Sequence, residues 1–101
     1  MNRETVIQSI YDAIRRTNDL RAPHDQLACE ETTVLYGRGG RLDSLGLVAF
    51  ILDVEEAMRA RAGLKLVLAD ERAMAQQRSP FRTVQSLADY VMARLETPSH
   101  A

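Results

Sequence analysis

Apolar residues recur at helical spacing near the start of the chain. Val6, Ile7, Ile10, Tyr11 and Ile14 fall three or four apart, and Arg15, Arg16 and Asp19 follow at a polar end. This pattern predicts an amphipathic helix from about Arg3 to Asp19, which Pro23 prevents from continuing. From about Leu20 to Asp43 the periodicity lapses. Pro23, Gly37, Gly39 and Gly40 resist regular structure there, while Leu27, Val34, Leu35 and Tyr36 are apolar enough to pin a long connection onto a core. Loops of this length in small domains often carry function.

A second helix is predicted from Ser44, read as its N-cap, to about Ala62, with Gly63 as its stop. At 100° per residue, Leu47, Phe50, Ile51, Val54 and Met58 share one broad side and form an ordinary core stripe. Leu45, Val48 and Leu52 fall on another side, beside Glu55 and Glu56. A helix with two apolar faces is either buried on both or offers one to a partner. Leu64, Leu66, Val67 and Leu68 read as a short extended patch. Asp70 is placed to cap a short third helix over Glu71 to Gln76, broken by Ser79-Pro80. Thr83 is placed to cap a last helix with Val84, Leu87, Ala88, Val91 and Leu95 on one face. Residues 1–2 and 97–101 are expected to fray. The fold class is therefore all-α, in one domain over residues 1–101: three main helices, one short helix and a long first loop.

Composition narrows the function. The 101 residues carry 13 basic and 14 acidic side chains, a net charge of -1, which offers no attraction to nucleic acid. Cys29 is the single cysteine, so no internal disulfide forms, and a buried or idle thiol is expected. His24 and His100 lie far from any cluster with metal-ligand spacing. The first residues do not read as a signal peptide. The apolar stretch Leu45 to Leu52 is far short of a membrane span, so a cytoplasmic protein is expected. Gly37-Arg38-Gly39-Gly40 lacks the glycine spacing of a dinucleotide cradle.

Leu42-Asp43-Ser44-Leu45, at a loop-to-helix junction after Gly37-Arg38-Gly39-Gly40, resembles the Asp-Ser-Leu attachment motif of the acyl carrier protein family. The resemblance runs on through Val48, Glu55 and Glu56. It returns at Thr83-Val84-Gln85-Ser86-Leu87-Ala88-Asp89-Tyr90-Val91, which looks like the family's last helix. It implies a four-helix bundle and a freestanding, non-catalytic carrier. A phosphopantetheinyl transferase would move phosphopantetheine from coenzyme A to Ser44, with magnesium held at the transferase alone. The covalent arm would then hold acyl or related thioesters for acyl-loading and acyl-transferring enzymes. By the same resemblance Asp43 serves transferase recognition. Leu45, Val48 and Leu52 contact partner enzymes, and Glu55 and Glu56 pair with basic residues on them. A monomer is expected, since such a carrier visits several active sites.

The sequence departs from the family's fatty acid synthesis members. Gly46 and Ala49 stand where those often carry acids, Arg38 and Arg41 precede the motif, and Leu66 to Arg82 is longer than the usual third-helix region. These differences point away from fatty acid synthesis to a specialised route, of polyketide, lipid-modified polysaccharide or similar tailoring type. Peptidyl carriers usually show Gly-Gly-His-Ser or Gly-Gly-Asp-Ser. Here Arg41 and Leu42 intervene after Gly39-Gly40, so the acyl type fits better, with an aminoacyl or peptidyl cargo as an alternative. An unmodified helical adaptor and a small hydrolase are the other classes of reading.

Overall fold

The computed structural model describes residues 2–63, 65, 67–68 and 81–96. The third-helix reading, with Asp70 and Ser79-Pro80, lies outside these residues, as do Leu64, Leu66 and the tail from Thr97. Three α-helices are present among the described residues, with no strand: α1 (Arg3–Asn18), α2 (Ser44–Ala62) and α3 (Val84–Glu96). Helix α1 packs on both α2 and α3.

Each helix ends where its chemistry requires. Asn2, expected to fray, caps α1 instead: its Oδ1 accepts the Thr5 N–H at 2.9 Å. Satisfying one orphan donor of the first turn contributes about 1 kcal/mol in a typical helix. Helix α1 closes at Asn18, one residue short of the predicted Asp19, which becomes its C-cap. Gly63 terminates α2 at φ 66°, a left-handed conformation that a side chain would strain, and its N–H returns to Arg59 O at 2.9 Å. Thr83 and Ser86 cap α3 reciprocally. Ser86 N donates to Thr83 Oγ1 and Thr83 N donates to Ser86 Oγ, each at 3.0 Å.

The core is aliphatic. Val6, Ile10, Ala13 and Ile14 of α1 meet Leu47, Phe50, Ile51, Val54 and Met58 of α2, and Val84, Leu87, Ala88 and Val91 of α3 complete it. All of these positions except Ala13 belong to a predicted apolar face. Tyr11 and Leu95, predicted on those faces, pack at the core's edge. Phe81 is also fully buried and meets Tyr90 edge-on, with ring centroids 5.8 Å apart.

Charged side chains tie the elements together from outside. Arg3 reaches Glu31 at 2.5 Å and Asp89 at 3.3 Å, joining α1 to the first loop and α3. Arg61 of α2 grips Asp12 of α1 through two nitrogens, at 2.5 and 3.0 Å. The Arg61 hydrogen bonds, above all, hold the Asp12 carboxyl below its ordinary value of 3.8. Near that pH the unfolded chain therefore binds more protons than the folded one, so stability rises with pH. The contribution is complete above the unfolded value and is lost as pH falls through the lower folded one. Asp12→Asn is expected to reduce stability at pH 7 and to flatten its decline below pH 3.8. Urea titrations from pH 2 to 7 of both proteins would check this.

Candidate functional site

The site is built where the long connection enters α2. The connection is anchored at several points and does not cross the surface loosely. Asn18 exchanges two hydrogen bonds with the backbone of Leu27, at 2.8 and 2.9 Å, which seats Leu27 in the core. A short 3-10 turn, Pro23–Asp25, follows α1. Arg21 donates to Arg41 O at 3.0 Å and pairs with Asp25 at 2.9 Å, and Arg41 pairs with Asp25 at 3.2 Å. The early and late parts of the connection are therefore cross-linked two residues before Asp43.

The middle of the connection lies along the entry to α3. Leu35 N and Tyr36 N both donate to Arg82 O, at 2.6 and 3.3 Å, and Val84 N donates to Thr33 O at 3.1 Å. The chain then reverses through Gly37-Arg38-Gly39-Gly40. Gly37 and Gly39 adopt φ of 93° and 82°, which side chains other than glycine rarely take. After the reversal, Leu42 N donates to Leu35 O at 3.1 Å, and Leu42 is buried. Gly40 is needed for a different reason. A Cβ there would stand 2.8 Å from Leu35 O and from the backbone of Tyr36. Gly40→Ala is expected to cost roughly 1–3 kcal/mol, because backbone and not a flexible side chain must yield. A lowered urea midpoint, with amide shifts perturbed from Leu35 to Leu42, would be the observed result.

Asp43 caps α2, correcting the assignment of that role to Ser44. Its Oδ1 accepts the Gly46 N–H at 2.6 Å. Two adjacent residues could each have capped, and the carboxylate takes the position because the chain enters with Asp43 extended, at ψ -178°. Gly46 fits this cap closely, since a Cβ there would approach Asp43 Oδ1 to 3.0 Å. Ser44 is left as the first helical residue, exposed, with its hydroxyl 3.1 Å from the hydroxyl of Tyr36.

The second apolar strip of α2 faces solvent. Leu45 is 80% exposed and Leu52 53% exposed, with Val48 half-buried between them. Val67 extends the strip at 62% exposure, and a hollow of about 300 Å³ lies between Leu52 and Val67, edged by Glu55, Glu56, Arg59 and Lys65. The two glutamates are not equivalent. Glu55 accepts the Leu68 N–H at 2.6 Å and so holds the segment after α2, on which Arg94 of α3 also fastens through Val67 O at 3.0 Å. Glu56 is bound to Arg59 one turn on, whose hydrogen bond holds its carboxyl below the usual range. A cationic partner would meet Glu56 already engaged.

Cys29 is exposed, not buried. No group of histidine, cysteine, aspartate and glutamate suited to a metal ion occurs among the described residues, and no helix among them is long and apolar enough to cross a membrane. The predicted residues Asp43, Ser44, Leu45, Val48 and Leu52 thus form one continuous surface. Val67 as its extension and Tyr36 as the neighbour of Ser44 are not evident from periodicity or motif. By sequence Tyr36 reads only as an apolar pin, and the glycine run after it is the available sign of a reversal toward the helix start. No family model matches the chain, nor does any curated protein or solved structure.

Proposed function

We propose that this chain is a non-catalytic carrier of the acyl carrier type, folded as a four-helix bundle, with Ser44 as the attachment point for phosphopantetheine. The observation that carries the proposal is the division of labour at the start of α2. Had Ser44 been a cap, its oxygen would have been committed to the first turn. Asp43 fills that role at 2.6 Å, and the serine hydroxyl stands exposed beside it. The residues suit the group. The hydroxyl is reachable, and the start of a helix favours an attached anion through its positive dipole end. The same helix then presents Leu45, Val48 and Leu52, a surface that partner enzymes could share.

In the proposed modification the Ser44 oxygen forms a bond to the phosphorus bearing the pantetheine chain of coenzyme A. The bond from that phosphorus to the adenosine bisphosphate portion breaks. The serine proton passes to a base on the transferase, where magnesium offsets the phosphate charge. Once attached, the arm supplies a thiol on which acyl or related cargo is held as a thioester. Asp43 holds the helix start rigid around the serine, and its exposed carboxylate is available for recognition by the transferase.

The test is intact-protein mass after incubation with coenzyme A, magnesium and a broad-specificity phosphopantetheinyl transferase. A gain of one phosphopantetheinyl group supports the reading. No gain by folded protein, with that enzyme and with a transferase from the protein's own source, would overturn it in favour of an unmodified adaptor.

A further inference from the structure

The hydroxyl of Tyr36 lies 3.1 Å from Ser44 Oγ, and no capping or core-packing requirement explains this contact. Tyr36 is not a mobile surface side chain that happens to touch the serine. Its backbone N–H is bound to Arg82 O, its residue pairs with Leu42, and the ring packs at the edge of the core. The Gly37 to Gly40 reversal brings Gly40 so close over the Tyr36 backbone that a Cβ would be excluded at 2.8 Å. The loop therefore holds the tyrosine in place before anything binds.

We propose that Tyr36 is the positioning residue for Ser44. Its hydroxyl selects one rotamer of the serine in the unmodified protein, and it donates a hydrogen bond to the phosphodiester after modification. Chemistry sets the direction of the second bond. A serine hydroxyl can donate or accept, but an esterified Oγ has no hydrogen left. Only the tyrosine can then be the donor, either to Oγ or to an oxygen on phosphorus. The second half of this proposal rests on the carrier reading, while the first half does not.

The experiment compares wild type with Tyr36→Phe, which keeps the ring and removes only the hydroxyl. In unmodified protein, Hα–Hβ couplings at Ser44 are expected to report one dominant rotamer in wild type and rotamer averaging in the variant. Averaging in wild type, or identical couplings in both, would overturn the first half whether or not the protein is a carrier. In modified protein, the phosphorus resonance is expected to move on Tyr36→Phe; with unmodified protein as substrate, kcat/KM for modification is expected to fall about threefold to tenfold, because the forming phosphodiester loses the same hydrogen bond. An unmoved resonance and an unchanged rate would overturn the second half. If wild type gains no mass under any transferase, the carrier reading and the second half fail together, and the couplings alone judge the first. Circular dichroism and the urea midpoint of Tyr36→Phe separate these outcomes from misfolding.

Discussion

Ser44→Ala is expected to abolish the mass gain completely while leaving folding stability within about 0.5 kcal/mol of wild type, as for surface substitutions away from structural features. The two halves of this result have separate physical causes. Modification requires an oxygen nucleophile at residue 44, and alanine has none, so the loss is absolute. Stability is spared because the helix cap belongs to Asp43, whose bond to Gly46 N does not involve the serine. Alanine is also a good residue for the first turn of a helix. Had Ser44 been the cap, the same substitution would have cost about 1 kcal/mol. Urea denaturation beside intact mass therefore checks the capping assignment and the attachment assignment in one pair of proteins. A large stability loss would contradict the first, and persistent mass gain would contradict the second.

Phe81→Ala is expected to lower the unfolding free energy by about 3–5 kcal/mol, the usual cost of removing a buried aromatic ring. Phe81 is fully buried and meets the Tyr90 ring edge-on at an interplanar angle of 88°. Truncation removes the ring from the core, leaves a cavity beside α3 and ends the edge contact. A domain of this size has a total stability of about 5–15 kcal/mol, so the loss would be a large share of the whole. The measurement is the urea midpoint, with an unchanged slope showing that the unfolded state is not what altered. Because Phe81 directly precedes Arg82, whose carbonyl receives both Leu35 N and Tyr36 N, loosening there should also reach the loop that holds Tyr36. Perturbed amide shifts at Leu35 and Tyr36 in the variant would show that coupling.

The apolar strip of α2 and its acids differ in how free they are to meet a partner. Leu45 and Leu52 present apolar area to solvent without obstruction, whereas Glu55 and Glu56 are engaged, one by the backbone of Leu68 and the other by Arg59. If the strip docks partner enzymes, its apolar residues carry the contact, and the acids contribute mainly to encounter and orientation.

The parts of this protein that were legible in its sequence are those set by local rules. Helical periodicity placed Leu47, Phe50, Ile51, Val54 and Met58 on one buried face of α2 and left Leu45 and Leu52 outside, because 100° per residue fixes which side chains share a side. Gly63 and Thr83 marked helix ends because the left-handed stop and the hydroxyl cap are properties of single residues. Tertiary structure decided the rest. Asp43 and Ser44 are both competent caps, and the entry angle of a loop anchored on Arg21, Asp25 and Arg82 chose between them. Phe81 belongs to no periodic stripe, and it is buried where it meets Tyr90 of α3 edge-on. Tyr36 stands eight residues from Ser44 along the chain. Their hydroxyls meet only because four residues, three of them glycine, turn the backbone tightly enough to bring the loop back to the start of the helix.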